Sequence, residues 1–310
     1  MKKTLLAVVA VLAMTSCSQN EIDGIDNGKQ DARKEIKFGY SPVTRATETT
    51  TDNFNYFEVY AYKGATYSST AGDLIIDGGI FNKTTDWEST KKFYWPETGN
   101  LSFFGYNLND AQYNTDSGKP TLTYTIESTI KAQKDLLVSK HLDQAYSTTA
   151  ISLPFKHALS QVLFTVEGDD ADLTYTVEKI EIKQVSSTGT YDYENSAWTT
   201  TATLANYTIT PANAVEVTGT APESFVDADG VAILMPQDVT NKTIEVTYSA
   251  QYTSSGTGVK VESPATVTLK GSWTNGKKTT YKLVLSAAQI KLAGTENEAW
   301  GDDNNADNTK

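Results

Sequence analysis

Apolar residues in this chain recur with period two between Gly, Asn and Asp punctuation, and nowhere is a helical heptad sustained. Side chains on a strand point alternately to opposite faces, so this periodicity predicts an all-β fold. In the first half the predicted strands are EIKFGY, YFEVYAY, DLIIDGGIF, KKFYWP, LSFFGYNL, TLTYTI and KDLLVSK, seven elements between residues 35 and 140. The segment HLDQAYSTTA then loses its periodicity, which sets a domain boundary near residue 150. The second half supplies seven or eight more, from LPFKHALSQVLFTV at 153–166 to KTTYKLVLSAAQIKL at 278–292. One β-sandwich takes about 100 residues, so the chain is long enough for two, at 35–150 and at 151–310 with a polar tail.

The first residues stand apart. Lys2 and Lys3 precede an apolar run from Leu5 to Met14. That run is too short for the ~20 residues of a membrane-spanning helix and reads as an export signal covering residues 1–16. Thr15 and Ser16 lead into Cys17, the chain's one cysteine, in a setting that resembles the lipobox of lipoprotein signals. A lone cysteine makes no internal disulfide in an exported protein, and several acyl chains give near-permanent anchoring. Residues 17–34 are polar and aperiodic, as suits a flexible tether. Glu21 and Asp23 within them resemble tethers that direct surface export. Removing Lys2 and Lys3 leaves 24 basic against 38 acidic residues, a net charge of about −14. Such a balance argues against nucleic-acid or anionic-membrane surfaces, which need clustered Lys and Arg.

The residue inventory leaves little room for catalysis. The chain has two histidines, His141 and His157, and lacks a phosphate-binding glycine loop, HExxH and CxxC. Alternation in FKHALSQVLF places His157 with Phe155 and Leu159 on one face and Val162, Phe164 and Val166 on the other, the setting of a structural histidine. The acidic clusters at 168–172, 227–230 and 302–307 read as solvated turns, because none completes a calcium loop. No metal, cofactor or enzymatic activity is expected. A second reading gives the chain a carbohydrate-binding role without catalysis. Tyr191, Tyr193 and Trp198 in GTYDYENSAWTT gather around a turn where exposed rings would stack on sugars, against the alternative of cross-strand packing in a hairpin. Trp95, before Pro96, is expected to pack inward.

A set of motifs in fixed order carries a resemblance. Cys17 after its signal, TRA at 44–46, FEVYAY at 57–62, YWPETGNLSFFGY at 94–106, LPFKHALSQVLFTV, AILMPQ at 232–237, GKKTTYKLVL at 276–285 and a late Trp300 together resemble the fimbrillin-like outer-membrane lipoproteins of Gram-negative gut and oral anaerobes. The resemblance implies two tandem transthyretin-like β-sandwich domains and delivery to the outer membrane on a lipid at Cys17. It also implies assembly on the cell surface as stalk, anchor or tip of a fimbria. Its expected partners are other fimbrial subunits and a host or bacterial glycan or protein receptor.

Arg45 follows from the same resemblance. In stalk-type relatives an extracellular Arg-specific protease removes the lipidated segment and a neighbour's strand fills the vacated groove, which maps here to the Arg45–Ala46 bond; the alternative is that Arg45 is a solvated turn residue in an anchor or tip subunit that is not cut. EIKFGYSPV before it alternates Ile36, Phe38 and Tyr40 against Lys37 and Gly39, the pattern of a strand with one buried face. Its loss would expose apolar side chains and unpaired backbone groups, the condition for strand addition. After Leu292 the sequence offers Trp300 as its one large apolar residue, so this subunit is expected to accept a strand more readily than to donate one.

Overall fold

Nearly every regular element is a strand, as the alternation requires. A computed structural model describes residues 34–39, 54–64, 66–67, 73–108, 110–114, 120–287 and 289–300. One 3-10 turn, Ile130–Ala132, is the single helical element among them. The export signal, Cys17, Arg45 and Ala46 lie outside the described residues.

An antiparallel sheet of six strands organises the first half, in the order Phe155–His157, Leu137–Gln144, Asn100–Tyr106, Tyr56–Gly64, Asp73–Lys83 and Trp87–Glu88. Its strand Asn100–Tyr106 is buried on both faces, and the expected alternation of LSFFGY assigns them. Phe103 faces a core with Phe38, Phe57, Phe81 and Trp95. Phe104 and Tyr106 face a second, larger core that continues through the rest of the chain. Trp95 packs inward as expected, 6% exposed.

Over the second face lies a four-stranded sheet ordered Ala197–Thr200, Thr188–Asp192, Thr121–Thr125 and Gln112–Asn114. Two of its strands precede residue 150 and two follow it. The expected boundary thus falls in the largely exposed stretch 145–150, while a hairpin from the far side reaches back across it. All described residues belong to one compact unit, Lys34–Lys310.

Two further sheets form a sandwich. In one, Ser160–Gly168 pairs in parallel with Lys277–Leu285 and antiparallel with Glu223–Phe225 and Ala232–Leu234, and Ile290–Ala299 closes the edge. In the other, the long strand Leu173–Ser186 pairs with Leu204–Ile209, Val215–Thr218 and Thr243–Tyr252. Phe164, Tyr175, Ile180, Val246 and Tyr281 meet between them, each at most 1% exposed.

Two expectations need correction. LPFKHALSQVLFTV is not one strand: Phe155–His157 ends in the six-stranded sheet and Ser160–Gly168 begins another, with Ala158 and Leu159 turning the chain between them. Residues 301–310 lie outside the described residues, but the first part of the polar tail expected after Leu292, residues 293–299, belongs instead to the edge strand Ile290–Ala299, in register with Lys277–Leu285. Its side chains are mostly exposed, because an edge strand held by backbone bonds needs few apolar residues.

Burial of phenols makes the fold sensitive to alkali. Burial pushes the Tyr207 and Tyr281 hydroxyls up from 10.0 to about 12, and holds Tyr193 well above its ordinary value. Above pH ~10 the unfolded chain releases phenolic protons that the folded chain keeps, so stability present below that pH is lost as pH rises towards ~12. Urea midpoints measured alongside tyrosinate absorbance are expected to fall steadily across this window. A midpoint unchanged at pH ~11 would contradict the burial described.

Candidate functional site: the first strand and its groove

The segment Lys34–Gly39 threads between two other parts of the chain and is bonded to both. On one side the Ile36 N–H donates to the Phe93 carbonyl and the Trp95 N–H to that of Lys34, each at 2.8 Å, around an antiparallel bridge of Glu35 with Tyr94. On the other, the Ile151 N–H donates to the Lys37 carbonyl at 2.7 Å, and Phe38 and Gly39 pair in parallel with Ile151 and Ser152. Backbone groups that pair in this way become orphaned when their partner leaves.

From Ile36 to Phe38 the side chains follow the predicted alternation, while Tyr40 lies outside the described residues. Lys37 is exposed, whereas Ile36 and Phe38 are 3% and 4% exposed. The Phe38 ring meets Phe81, Phe57 and Phe103 edge-on, with centroids at 4.7, 5.5 and 5.6 Å, a geometry that aromatic quadrupoles favour. A cleft of about 510 Å³ runs along the same strand, walled by Phe81, Trp87 and Phe93. Electrostatics contribute little here: Lys92 lies 3.6 Å from Glu35 in a largely exposed ion pair, of a kind worth about 0–1 kcal/mol. Hydrophobic burial and the backbone ladder hold the strand.

The other predicted site needs revision. Thr188–Asp192 and Ala197–Thr200 form a hairpin, but its tyrosines do not present ring faces to solvent. Tyr191 is 5% and Tyr193 1% exposed. The Tyr193 hydroxyl donates to the Gly105 carbonyl at 3.0 Å, and Trp198 Nε1 donates to the Ala158 carbonyl at 2.6 Å. The rings stack edge-on against one another, Tyr191 on Tyr193 at 5.3 Å and on Trp198 at 5.4 Å. Tyr191 and Trp198 are the cross-strand pair that the sequence had left open as the alternative, and the Tyr193 and Trp198 hydrogen bonds in addition tie the hairpin to Gly105 and Ala158.

Sequence reasoning had treated two neighbouring features separately. His157 and Asp135 are paired and buried, with Nδ1 3.1 Å from Oδ1 and 2.9 Å from Oδ2. Trp300 lies flat on the imidazole, ring centroids 4.4 Å apart. A histidine in an apolar run was visible in the sequence; its partners, 22 residues upstream and at the far end of the chain, were not.

The fimbrillin-like family profile matches residues 44–300. The fimbrium subunit Fim1C of Phocaeicola vulgatus is 24% identical over 380 aligned positions, which cover 98% of each chain. Among solved structures, a proposed cell adhesion protein of Bacteroides ovatus superposes with a TM-score of 0.53 at 12% identity, over 87% of this chain and 98% of its own. Another from Parabacteroides distasonis reaches 0.50 at 10% identity, over 87% and 97%. The β-sandwich architecture is common to them, and the chain belongs to the fimbrillin-like family.

Proposed function

We propose that this chain is a non-enzymatic structural or adhesive subunit of a cell-surface fimbria, held in the outer membrane by a lipid on Cys17. In this reading it consists of tandem sandwiches meeting near residue 150, with the hairpin 188–200 reaching back over the first. Cleavage between Arg45 and Ala46 frees the segment Lys34–Gly39, and a strand from a neighbouring subunit takes its place.

One observation carries the reading: the segment just before Arg45 is paired on both sides and buries Ile36 and Phe38. Without it, the Ile36 acceptor at Phe93 and the donors at Trp95 and Ile151 would face an apolar slot. An extended peptide satisfies such a slot with backbone hydrogen bonds and alternate side chains. Family membership and the fimbrial name of the Phocaeicola relative support the setting.

The test is treatment of the purified protein with an Arg-specific protease, followed by N-terminal sequencing, size analysis and electron microscopy. A new N-terminus at Ala46 with appearance of oligomers, both abolished in Arg45→Ala, is expected. Mass spectrometry of the membrane-extracted protein is expected to find acylated Cys17 as the first residue. An uncut Arg45 bond, or a cut product that stays monomeric, would overturn the assembly route; an unmodified Cys17 would overturn the anchor alone.

A further inference from the structure

The walls of the first groove discriminate among the side chains of whatever strand lies in it, position by position. Three backbone bonds hold the present occupant whatever its side chains are. The Ile36 N–H donates to the Phe93 carbonyl, and the Trp95 and Ile151 N–H groups donate to the carbonyls of Lys34 and Lys37. These bonds set the register. Glu35 stands opposite Tyr94, Phe38 opposite Ile151 and Gly39 opposite Ser152, so each residue of an occupying strand meets its own set of neighbours.

The positions differ in what they admit. Ile36 is buried in the smaller core, a place for an aliphatic side chain. Phe38 is met edge-on by Phe57, Phe81 and Phe103, with every centroid within 5.6 Å. Those three rings are themselves buried, in an interior too closely packed to follow a different shape, and edge-on partners favour another aromatic ring beyond its area alone. Between them Lys37 is exposed and leaves its position open to any residue. Position 35 adds little, since the contact of Glu35 with Lys92 is largely exposed.

Position 39 is limited by space. Gly39 does not adopt the left-handed backbone that favours glycine elsewhere in the chain, so its conformation does not call for one. A Cβ there would lie 3.3 Å from the Ala150 Cβ, closer than side chains ordinarily approach, and 4.0 Å from the Ala150 carbonyl oxygen. Among the described residues, chain neighbours aside, only Ala150 comes that near. One methyl group beside the strand therefore decides how small this residue must be.

We infer that the groove prefers a strand reading aliphatic, any residue, aromatic, small, and that Ala150 is the residue that enforces the last position. The inference rests on the reading that a neighbouring subunit's strand takes this seat, and it adds the chemistry by which one such strand is favoured over another.

The experiment needs no cleavage at Arg45. Full-length, uncut Phe38→Ala protein, whose own strand is weakened, is titrated with a fluorescent peptide of residues 31–42, and binding is followed by anisotropy. Saturable binding is expected, changed by no more than about twofold when the peptide carries Lys37→Ala. Exchanging the two buried residues, Ile36→Phe with Phe38→Ile, keeps the composition and is expected to weaken binding at least about tenfold. A peptide with Gly39→Val is expected to bind several-fold more weakly, and to recover when the protein also carries Ala150→Gly. In the full chain that retains Phe38, Gly39→Val is expected to lower the urea midpoint and Ala150→Gly to restore most of it, so position 39 is tested even where Phe38→Ala does not fold. Equal binding of all the peptides would overturn the preference and leave strand exchange standing; binding of none by the folded variant would overturn both. A Gly39→Val loss that Ala150→Gly does not relieve would overturn the role of Ala150.

Discussion

Phe38→Ala is expected to destabilise the protein by roughly 3–5 kcal/mol, the range for deleting a fully buried aromatic ring from a packed core. The ring is 4% exposed and touches three other phenylalanines edge-on. Its backbone is tied to Ile151 on one side, and its strand to Phe93 and Trp95 on the other, so the walls cannot collapse into the vacated space. Lys37→Ala, one position away and exposed, is expected to change stability by less than about 0.5 kcal/mol. Urea unfolding at unchanged slope measures both. The contrast also bears on assembly: in protein cut at Arg45, a loss of this size weakens retention of the released strand by at least about a hundredfold. Exchange against a synthetic strand peptide should therefore run further in the variant. If Phe38→Ala and Lys37→Ala were equally mild, the first strand would not be the plug described.

Asp135→Ala is expected to cost about 3 kcal/mol or more, because it leaves His157 buried without the carboxylate that faces it. Both side chains are 1% exposed, so water cannot easily replace the lost partner. The Asp135 carbonyl also accepts from Asn107 Nδ2 at 3.0 Å, and the Asn107 Oδ1 receives the Leu137 N–H at 2.7 Å. These backbone links persist in the variant and keep the disruption local to the side chain. His157→Ala combined with Asp135→Ala should cost less than the sum of the two single changes. A double-mutant cycle in denaturant reads that coupling directly. Additive single effects would mean that the pair does not act as a unit.

Local alternation made the first strand legible: Ile36 and Phe38 inward and Lys37 outward follow from the spacing alone. The opposite faces of Phe103 and Phe104 were legible for the same reason. The turn reading of the acidic clusters at 168–172 and 227–230 also matches local chemistry, since Asp170 Oδ1 and Asp227 Oδ1 accept the N–H groups of Asp172 and Asp229, two residues on; the cluster 302–307 lies outside the described residues. Long-range partnership was not legible. A hairpin with Tyr191 and Trp198 reads the same whether its rings meet solvent or another sheet, and only the partner Thr121–Thr125 decides. Nor did Thr295 to Glu298 look like a strand, because an edge strand takes its stability from a neighbour's backbone rather than from its own apolar residues.

The hairpin that reaches back across residue 150 also sets the order in which the molecule can be completed. Thr125 and Thr188 are 63 residues apart yet share a side-chain hydrogen bond, and Ser160 bonds to Thr274, 114 residues later. Such distant pairings make folding slow, because loop closure must precede the contacts that reward it. As the chain emerges from its N-terminus, Phe104 and Tyr106 meet Tyr62, Tyr67 and Tyr113 early, but Phe104 gains Tyr193 only with the hairpin at 188–200, and His157 gains its stacking ring only with Trp300. A half-delivered chain therefore exposes sticky sheet surface that is prone to aggregate. The same delay keeps the larger core open until residues near 300 are in place, whereas the smaller core, drawn from residues 36–155, is complete with the first half of the chain.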